Sequence, residues 1–374
     1  MCDTITRQLR RIVCSACGIV NIIYLTTTIS VIVLMQLFYV NYQLRSVVPI
    51  ANNVKKELQV FISYRSLSTS TLPTPAPTTN RKSNRKSVFK TRRPVAKRPD
   101  MCKGCFAHDY TYILDNEDIC STEEGKQPVN LLVLISTTHK NTESRKALRE
   151  TWLTPSWKNT GDVRYAFLLG MSPDTATQVA IETESATYQD IIQEDFVDSY
   201  NNLTLKTMMA FKWASTKCKN AKYFMKTDDD MFVNLDSLKA TLRKNSFVLE
   251  KSIGGFCNLS REPIRTNTSK WYAPFEMYPH KEYPQYCSGT GYVTSLGVVE
   301  KVYKVSKNVP FFYLEDVYVS LCMRKLGLNM THLPGFHADF QKPGCVYKTN
   351  ELVTSHRLTP KLLKEIWKKK CKDV

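Results

Sequence analysis

The sequence has no second apolar run as long as the one from Gly18 to Val40, which contains 23 residues and no charged side chain. A run of this length is enough for a tilted helix to cross the roughly 30 Å hydrocarbon layer of a bilayer. Because there is one such run, we predict a single-pass membrane protein and exclude a multi-pass one. Arg7, Arg10 and Arg11 precede the run and the first cation after it is Arg45, which predicts a cytoplasmic N-terminus and a lumenal C-terminal part.

The same run lacks the two marks of a cleaved signal peptide, an apolar core of about 7–15 residues and a small-residue cleavage site after it. We therefore predict an uncleaved signal-anchor at residues 18–40, behind a cytoplasmic tail of residues 1–17.

Acidic residues are missing between Arg81 and Arg98, where nine residues are basic. Half of the formal net charge of +18 therefore lies in one polar run outside any plausible core. A field of this size attracts polyanions without selecting one. No pattern in the chain indicates nucleic-acid recognition, so no nucleic-acid partner is predicted. A lumenal binder of sulfated glycans that acts through this run is an alternative class of function.

Hydrophobic periodicity fades between residues 41 and 127, which include the stretch SLSTSTLPTPAPTTN ahead of the basic run. Such a composition is typical of an extended, disordered linker. We predict that residues 41–127 form a stem that holds a folded domain away from the bilayer.

A complete zinc motif is also missing. Cys14/Cys17 and Cys102/Cys105 form CxxC pairs, but neither has a CxxC or HxxxH partner at finger-like spacing. In an oxidising lumen we expect most of the cysteines after the apolar run to form disulfides, and their odd number leaves at least one free or paired between chains. These nine are Cys102, Cys105, Cys120, Cys218, Cys257, Cys287, Cys322, Cys345 and Cys371.

From Pro128 onward, short apolar runs alternate with amphipathic stretches, which predicts an α/β domain with a mostly parallel sheet over residues 128–374. The predicted strands are VNLLVLIST, VRYAFLLG, QDIIQEDF and AKYFMKTD. The predicted helices are SRKALRETWL, TATQVAIETESA, LTLKTMMAFKWAST and LDSLKATLRK. Asn-x-Ser/Thr sequons, predicted to carry N-glycans in a lumenal domain, occur at Asn202, Asn258, Asn267 and Asn329.

The strongest local pattern is KTDDDMFVN, from Lys226 to Asn234, which follows the apolar strand AKYF. Three adjacent carboxylates repel one another, so a fold keeps them together where a cation or solvent compensates. In open α/β sheets, ligands bind beyond the carboxyl ends of the strands, where this run falls. Its hard oxygen atoms suit Mn²⁺ or Mg²⁺ together with substrate phosphates. A solvated acidic turn is the alternative interpretation.

A second acidic pair, Glu315 and Asp316, lies inside the apolar segment FFYLEDVYV. Burial raises the pKa of a carboxyl group toward the range of a general base. The alternative is a pair of acids that opens the helix VYVSLCMRKLG.

Two further clusters are candidate ligand contacts. Arg145 and Arg149 are four residues apart and share a helix face, which suits a diphosphate, although two solvated cations are the alternative. The segment from Trp271 to Tyr292 is dense in aromatic residues, prolines and glycines. Flat rings pack against sugars and glycines allow close backbone approach, whereas a packed irregular loop is the alternative.

Taken together, these segments resemble the β-1,3-galactosyltransferases of glycosyltransferase family 31, whose relatives include β-1,3-N-acetylglucosaminyltransferases and Fringe proteins. The motifs that carry the resemblance, in the expected order, are RKALRETW, YAFLLG, DIIQEDFVDSYNNLTLKT, KTDDDMFVN, YPQYCSGTGYV and EDVYVSLCMRKLG.

The resemblance implies a GT-A fold and an inverting transfer of galactose from UDP-galactose to a glycan on a glycoprotein or glycolipid, in the Golgi membrane. A homodimer is a possible assembly. The implied general base is Asp316, with Glu315 as the alternate. The implied metal ligands for Mn²⁺ or Mg²⁺ are Asp230, Asp228 and His356, the last of which matches the family's His-x-x-x-Pro segment better than His337. The implied nucleotide contacts are Arg145, Arg149, Lys226, Asp228 and Asp229, and the implied acceptor contacts are Trp271, Tyr286, Gly289, Gly291 and Tyr292.

Two alternatives stay open. An N-acetylglucosaminyltransferase would use UDP-N-acetylglucosamine. The N-acetylglucosaminyl branch more often has DDV where this chain has EDV, so a single residue favours the galactosyl branch. A catalytically silent relative would bind glycans without turnover, against which the complete DDD and EDV motifs argue.

Overall fold

The computed structural model describes residues 98–123 and 126–371. The cytoplasmic tail, the signal-anchor at residues 18–40 and the stem as far as residue 97 lie outside these residues. Among the helices that are described, none combines the length and apolar character needed to span a bilayer.

Ten strands and eight α-helices make up the described part of the chain. The strands are β1 (Tyr112–Leu114), β2 (Leu131–Ser136), β3 (Val163–Met171), β4 (Ile191–Val197), β5 (Tyr223–Asp228), β6 (Phe232–Val233), β7 (Ser252–Gly255), β8 (Gly291–Ser295), β9 (Asn329–His332) and β10 (Thr354–Ser355). The helices are α1 (Thr142–Arg149), α2 (Thr175–Tyr188), α3 (Leu203–Lys217), α4 (Leu235–Lys244), α5 (Ser246–Leu249), α6 (Leu296–Ser306), α7 (Glu315–Lys325) and α8 (Pro360–Lys368).

Eight of the strands form one mixed sheet in the order β1-β4-β3-β2-β5-β8-β7-β9. Strands β4, β3, β2 and β5 are parallel, and they are the four strands predicted from the sequence. Strand β8 is antiparallel to both of its neighbours, β5 and β7, whereas β7 pairs parallel with β9. Strand β10 pairs with β6 in a separate small sheet. The prediction of an α/β domain with a mostly parallel sheet is confirmed.

Both faces of the sheet are covered, which is why the central strands read as continuous apolar runs. Along β2, Leu132 and Leu134 face a core that includes Phe211 and Trp213 of α3. Leu131, Val133 and Ile135 face the opposite core, together with Leu148 of α1 and Ile366 of α8. This alternation follows from the two-residue period of a strand.

The folded domain begins earlier than the sequence boundary at Pro128. Strand β1 lies within the segment assigned to the stem, yet it pairs antiparallel with β4 at the edge of the sheet. A disulfide joins Cys120 to Cys218 at the end of α3. The boundary of the predicted stem is therefore wrong for residues 98–123. A strand of three half-buried residues is too short to show periodicity, so its pattern could not reveal it.

The prediction of disulfides is confirmed, and one cysteine of the nine stays free. The bonds are Cys102–Cys105, Cys120–Cys218, Cys257–Cys287 and Cys345–Cys371. Cys322 is the free thiol and it is buried. Because Cys102 and Cys105 bond to each other, they do not supply half of a zinc site. The Cys14/Cys17 pair lies outside the described residues.

Three of the four sequons are open to solvent. Asn258, Asn267 and Asn329 are exposed, and Asn329 opens the edge strand β9. Asn202 is half-buried, and its side-chain amide donates to the carbonyl oxygen of Val197 over 2.8 Å. Glycosylation at all four positions stays a prediction.

Candidate active site

A cleft of about 1000 Å³ lies at the carboxyl ends of the parallel strands. Ser136 at the end of β2 pairs in register with Asp228 at the end of β5. Strand β8 runs the other way, so its first residue, Gly291, pairs with Thr227 and brings Ser288 to Thr290 to the same edge. The volume falls in the upper part of the range for small-molecule sites.

The three aspartates of the acidic run point in three directions. Asp228 Oδ1 accepts a hydrogen bond from Lys226 Nζ over 2.7 Å. Asp229 is buried and accepts from Thr137 Oγ1 and, over 2.9 Å, from Asn141 Nδ2. Burial raises the pKa of Asp229 to about 6, although these two hydrogen bonds oppose the rise. The run is therefore not a simple solvated turn, because Asp229 is buried and hydrogen-bonded at its centre.

Asp230 points outward and meets His356. Asp230 Oδ2 lies 3.2 Å from His356 Nε2, and His356 Nδ1 lies 2.9 Å from the carbonyl oxygen of Ala338. Burial lowers the pKa of His356, but the hydrogen bond and negative charge of Asp230 outweigh it and raise the pKa above its usual value. Within residues 98–123 and 126–371, no group of three or more His, Cys, Asp or Glu side chains is arranged as a ready metal site.

Glu315 and Asp316 begin α7 and differ sharply in their surroundings. Glu315 is 6% exposed, and its carboxylate accepts from Lys226 Nζ at 3.1 Å, Thr207 Oγ1 at 3.1 Å and Tyr292 OH at 3.4 Å. Asp316 reaches the cleft and accepts from the backbone N–H groups of Val317 at 2.8 Å and Gly289 at 3.4 Å. Burial, with the neighbouring charge of Glu315, raises the pKa of Asp316 to about 7.

Lys226 is buried between the acidic run and α7. Its ammonium group donates to Asp228, to Glu315 and to the carbonyl oxygen of Gly289. Burial acts to lower the pKa of Lys226, but the two carboxylates outweigh it and raise the pKa. The charged lysine therefore links both acidic motifs through one group.

Arg145 and Arg149 share a helix face as predicted, but that face is turned away from the cleft. Arg145 donates twice to Glu184, at 2.8 and 2.6 Å, and is fully buried. Arg149 donates twice to Asp190, each time over 2.8 Å, and its guanidinium lies 3.9 Å from the ring centre of Tyr188. The prediction that these arginines hold a diphosphate is wrong, because both guanidinium groups are buried and already paired with the carboxylates of Glu184 and Asp190.

The predicted acceptor contacts divide into two groups. Trp271, Tyr286 and Gly289 line the cleft, and Trp271 is 46% exposed. Gly291 and Tyr292 lie inside β8, where they are buried in the sheet and do not line it. The predicted contact of these two residues with the acceptor is therefore wrong, although Tyr292 supports Glu315 from behind.

The family profile described as galactosyltransferase matches residues 143–334. Mouse beta-1,3-galactosyltransferase 1 is 41% identical over 261 residues, which cover 70% of this chain and 78% of that protein. The chain belongs to the β-1,3-galactosyltransferase family. Human beta-1,3-galactosyltransferase 5 is 38% identical over 250 residues, or 66% of this chain and 80% of that protein.

Among solved structures, the galactosyltransferase LgtC in complex with donor and acceptor sugar analogues has 9% identity and a TM-score of 0.36, over 63% of this chain and 94% of that one. This likeness is too distant to add to the family assignment. The matched range of the family profile contains the acidic run and both acids of the EDV motif, whereas His356 follows it.

This galactosyltransferase also has cleft residues that the sequence interpretation missed. They include His139, Lys140, Tyr200, Lys270 and Tyr313. His139 and Lys140 directly follow β2, so the same rule that pointed to the acidic run could have found them. Tyr200 opens a single 3-10 turn and Lys270 and Tyr313 lie in loops, where no period marks which side chain faces the cleft.

Proposed function

We propose that this member of the family has a GT-A fold and transfers galactose from UDP-galactose to a hydroxyl group of a glycan acceptor, with inversion and formation of a β-1,3 linkage. The observation that carries the proposal is Asp316, a carboxyl group in the cleft with a pKa raised to about 7. It shares one cleft with the acidic run and with the exposed ring of Trp271. The cleft volume of about 1000 Å³ suits a nucleotide sugar and an acceptor side by side.

Asp316 is the general base of the proposed reaction. A base must reach the acceptor hydroxyl and accept its proton near neutral pH. Asp316 is open to the cleft, whereas both oxygens of Glu315 are occupied by Lys226, Thr207 and Tyr292. Glu315 therefore positions the start of α7, and Asp316 takes the proton as the acceptor oxygen attacks the anomeric carbon and the bond to UDP breaks.

Asp228, Asp230 and His356 would hold the divalent metal, and their chemistry fits Mn²⁺. Carboxylate oxygens and an imidazole nitrogen are ligands that Mn²⁺ accepts. The carbonyl oxygen of Ala338 accepts the Nδ1 proton of His356, so Nε2, which lies beside Asp230, is the ring nitrogen that would bind the metal after losing its own proton. When bound, the metal neutralises negative charge on the diphosphate leaving group. Asp229 stays behind them, bonded to Thr137 and Asn141, and fixes the turn.

The proposal places the enzyme in the Golgi membrane, anchored by residues 18–40, with an acceptor carried by a glycoprotein or glycolipid. Four disulfides in the described residues are typical of an oxidising lumen and support this location. A homodimer stays a prediction that sedimentation of the purified enzyme would test.

The test is UDP release by the purified enzyme, with UDP-galactose and UDP-N-acetylglucosamine compared over a panel of acceptors, with and without Mn²⁺. We expect turnover of UDP-galactose that needs metal and acceptor. Asp316→Asn should lower kcat by about 10²–10⁴-fold, while Asp230→Asn should raise the Mn²⁺ concentration that is needed. Preference for UDP-N-acetylglucosamine would correct the donor. Donor binding without any turnover would overturn the enzyme assignment in favour of a silent glycan binder.

A further inference from the structure

The segment from Arg98 to His108, which we name the N-terminal strap, lies against the connection between α6 and α7. The backbone N–H of Cys102 donates to the carbonyl oxygen of Asn308 over 3.0 Å, and that of Phe106 donates to Lys307 over 3.3 Å. The ring of Phe106 lies 5.1 Å from that of Phe311 between centres. The strap is thus part of the domain, although it belongs by composition to the stem.

Arg98 makes the most concentrated contact of the strap. Its guanidinium donates to the carbonyl oxygens of Phe311 at 3.0 Å and Met277 at 3.2 Å, and to that of Pro310. It also lies 5.7 Å from the ring centre of Phe312. A planar guanidinium holds five N–H donors in a fixed fork, whereas the three donors of a lysine radiate from a single nitrogen atom, so lysine is not an equivalent replacement here.

The two segments held by Arg98 both lead into the proposed acceptor side of the cleft. Residues 310–314 run directly into α7, so their position sets where Asp316 enters the cleft. Met277 belongs to the loop that carries Trp271 and Tyr286. The two segments also touch each other, because Tyr313 OH donates to the carbonyl oxygen of Tyr272 over 2.8 Å.

We propose that Arg98 is a positioning residue that clamps the acceptor loop to the segment that delivers the base. This inference rests on the proposed function, in which Asp316 is the base and the loop of Trp271 receives the acceptor. The proposed donor side of the cleft is built from the ends of β2 and β5 and the residues that follow them, which Arg98 does not touch. Loss of the clamp should therefore affect use of the acceptor and spare use of the donor.

The test uses the full chain in detergent with Arg98→Met, Arg98→Lys and, as a control, Arg93→Met in the same basic run. We expect Arg98→Met to raise the acceptor KM about tenfold, the order expected for losing hydrogen bonds of a charged group. The KM for UDP-galactose should stay within about twofold. Arg98→Lys should fall between Arg98→Met and wild type, and Arg93→Met should match wild type.

Thermal unfolding of each variant is recorded beside the kinetics. An unchanged acceptor KM in a folded Arg98→Met would overturn the inference, as would equal losses for donor and acceptor that follow the fall in Tm. If Arg98→Met does not fold, the test rests on Arg98→Lys. An acceptor KM of Arg98→Lys equal to that of the wild type would then refute the clamp. Absence of galactose transfer by the wild type would refute the proposed function itself, before any variant is compared.

Discussion

Gly289→Ala tests the contact between the loop before β8 and α7. A Cβ placed on Gly289 would lie 2.1 Å from Glu315 Oε1 and 3.2 Å from its Cδ. The end of a flexible side chain could normally swing away from such a clash. Here the carboxylate is held by Lys226, Thr207 and Tyr292, so it cannot move without giving up those hydrogen bonds.

The expected cost follows from what the displaced carboxylate leaves behind. Breaking a buried ion pair by removal of one partner costs about 3–5 kcal/mol. Lys226 would keep its hydrogen bonds to Asp228 and to the carbonyl oxygen of Gly289. We therefore expect the free energy of unfolding to fall by about 3 kcal/mol, the lower end of this range. For a domain of this size, that corresponds to a fall in Tm of roughly 6–12 °C. Because the N–H of Gly289 also donates to Asp316, kcat should fall as well.

Gly291→Ala is the matched control. Its Cβ would meet nothing closer than 3.5 Å, which is ordinary contact, so we expect a change in stability within about 1 kcal/mol. The double variant Gly289→Ala/Glu315→Asp should lose less than the sum of the single variants, because a shorter acid relieves the clash. The assay is thermal and urea unfolding of the wild type, the single variants Gly289→Ala, Gly291→Ala and Glu315→Asp, and the double variant. If Gly289→Ala behaves like Gly291→Ala, the argument for a locked carboxylate is refuted.

Three further predictions concern charge and burial. Since the deprotonated form of Asp316 is the proposed base and its pKa is raised to about 7, kcat/KM should rise with pH up to about 7 and level off above it. In Glu315→Gln the rise of kcat/KM should occur at lower pH, because a negative charge beside Asp316 is lost. If kcat/KM of the wild type rose near pH 4 instead, Asp316 would not be the base. Arg149→Met should lower the Tm but leave the KM for UDP-galactose unchanged, because its partner is Asp190; a large rise in that KM would return Arg149 to the donor site. Burial raises the pKa of Cys322 to about 12, so a thiol reagent should label it only in denaturant, and labelling of the native enzyme would show that it is accessible.

Long regular elements could be predicted from the sequence because their patterns follow from local physical chemistry. Strands β2 to β5 are apolar runs covered on both faces, and helix α3 between β4 and β5 supplies Met208, Phe211 and Trp213 to the core. The acidic run was placed correctly because it follows β5, and the carboxyl end of a central parallel strand faces a crevice. Strand β1 escaped prediction because its only signal is pairing with β4, about 80 residues further along the chain.

The choice between Glu315 and Asp316 could not be made from the sequence, since both acids stand side by side in the same apolar segment. It depends on Thr207 and Lys226, which lie 108 and 89 residues away and occupy Glu315.

The error at Arg145 and Arg149 has the same origin. Helical spacing correctly placed both side chains on one face, but spacing carries no information about what that face meets. That face of α1 contacts Glu184 of α2 and Asp190, the residue before β4. Their carboxylates form ion pairs with both arginines. Removal of one partner from a buried ion pair strongly destabilises the fold. These arginines therefore act on the site only indirectly, through Arg145 Nη1, which donates to the carbonyl oxygen of Thr138 over 2.7 Å and so holds the loop after β2 in place.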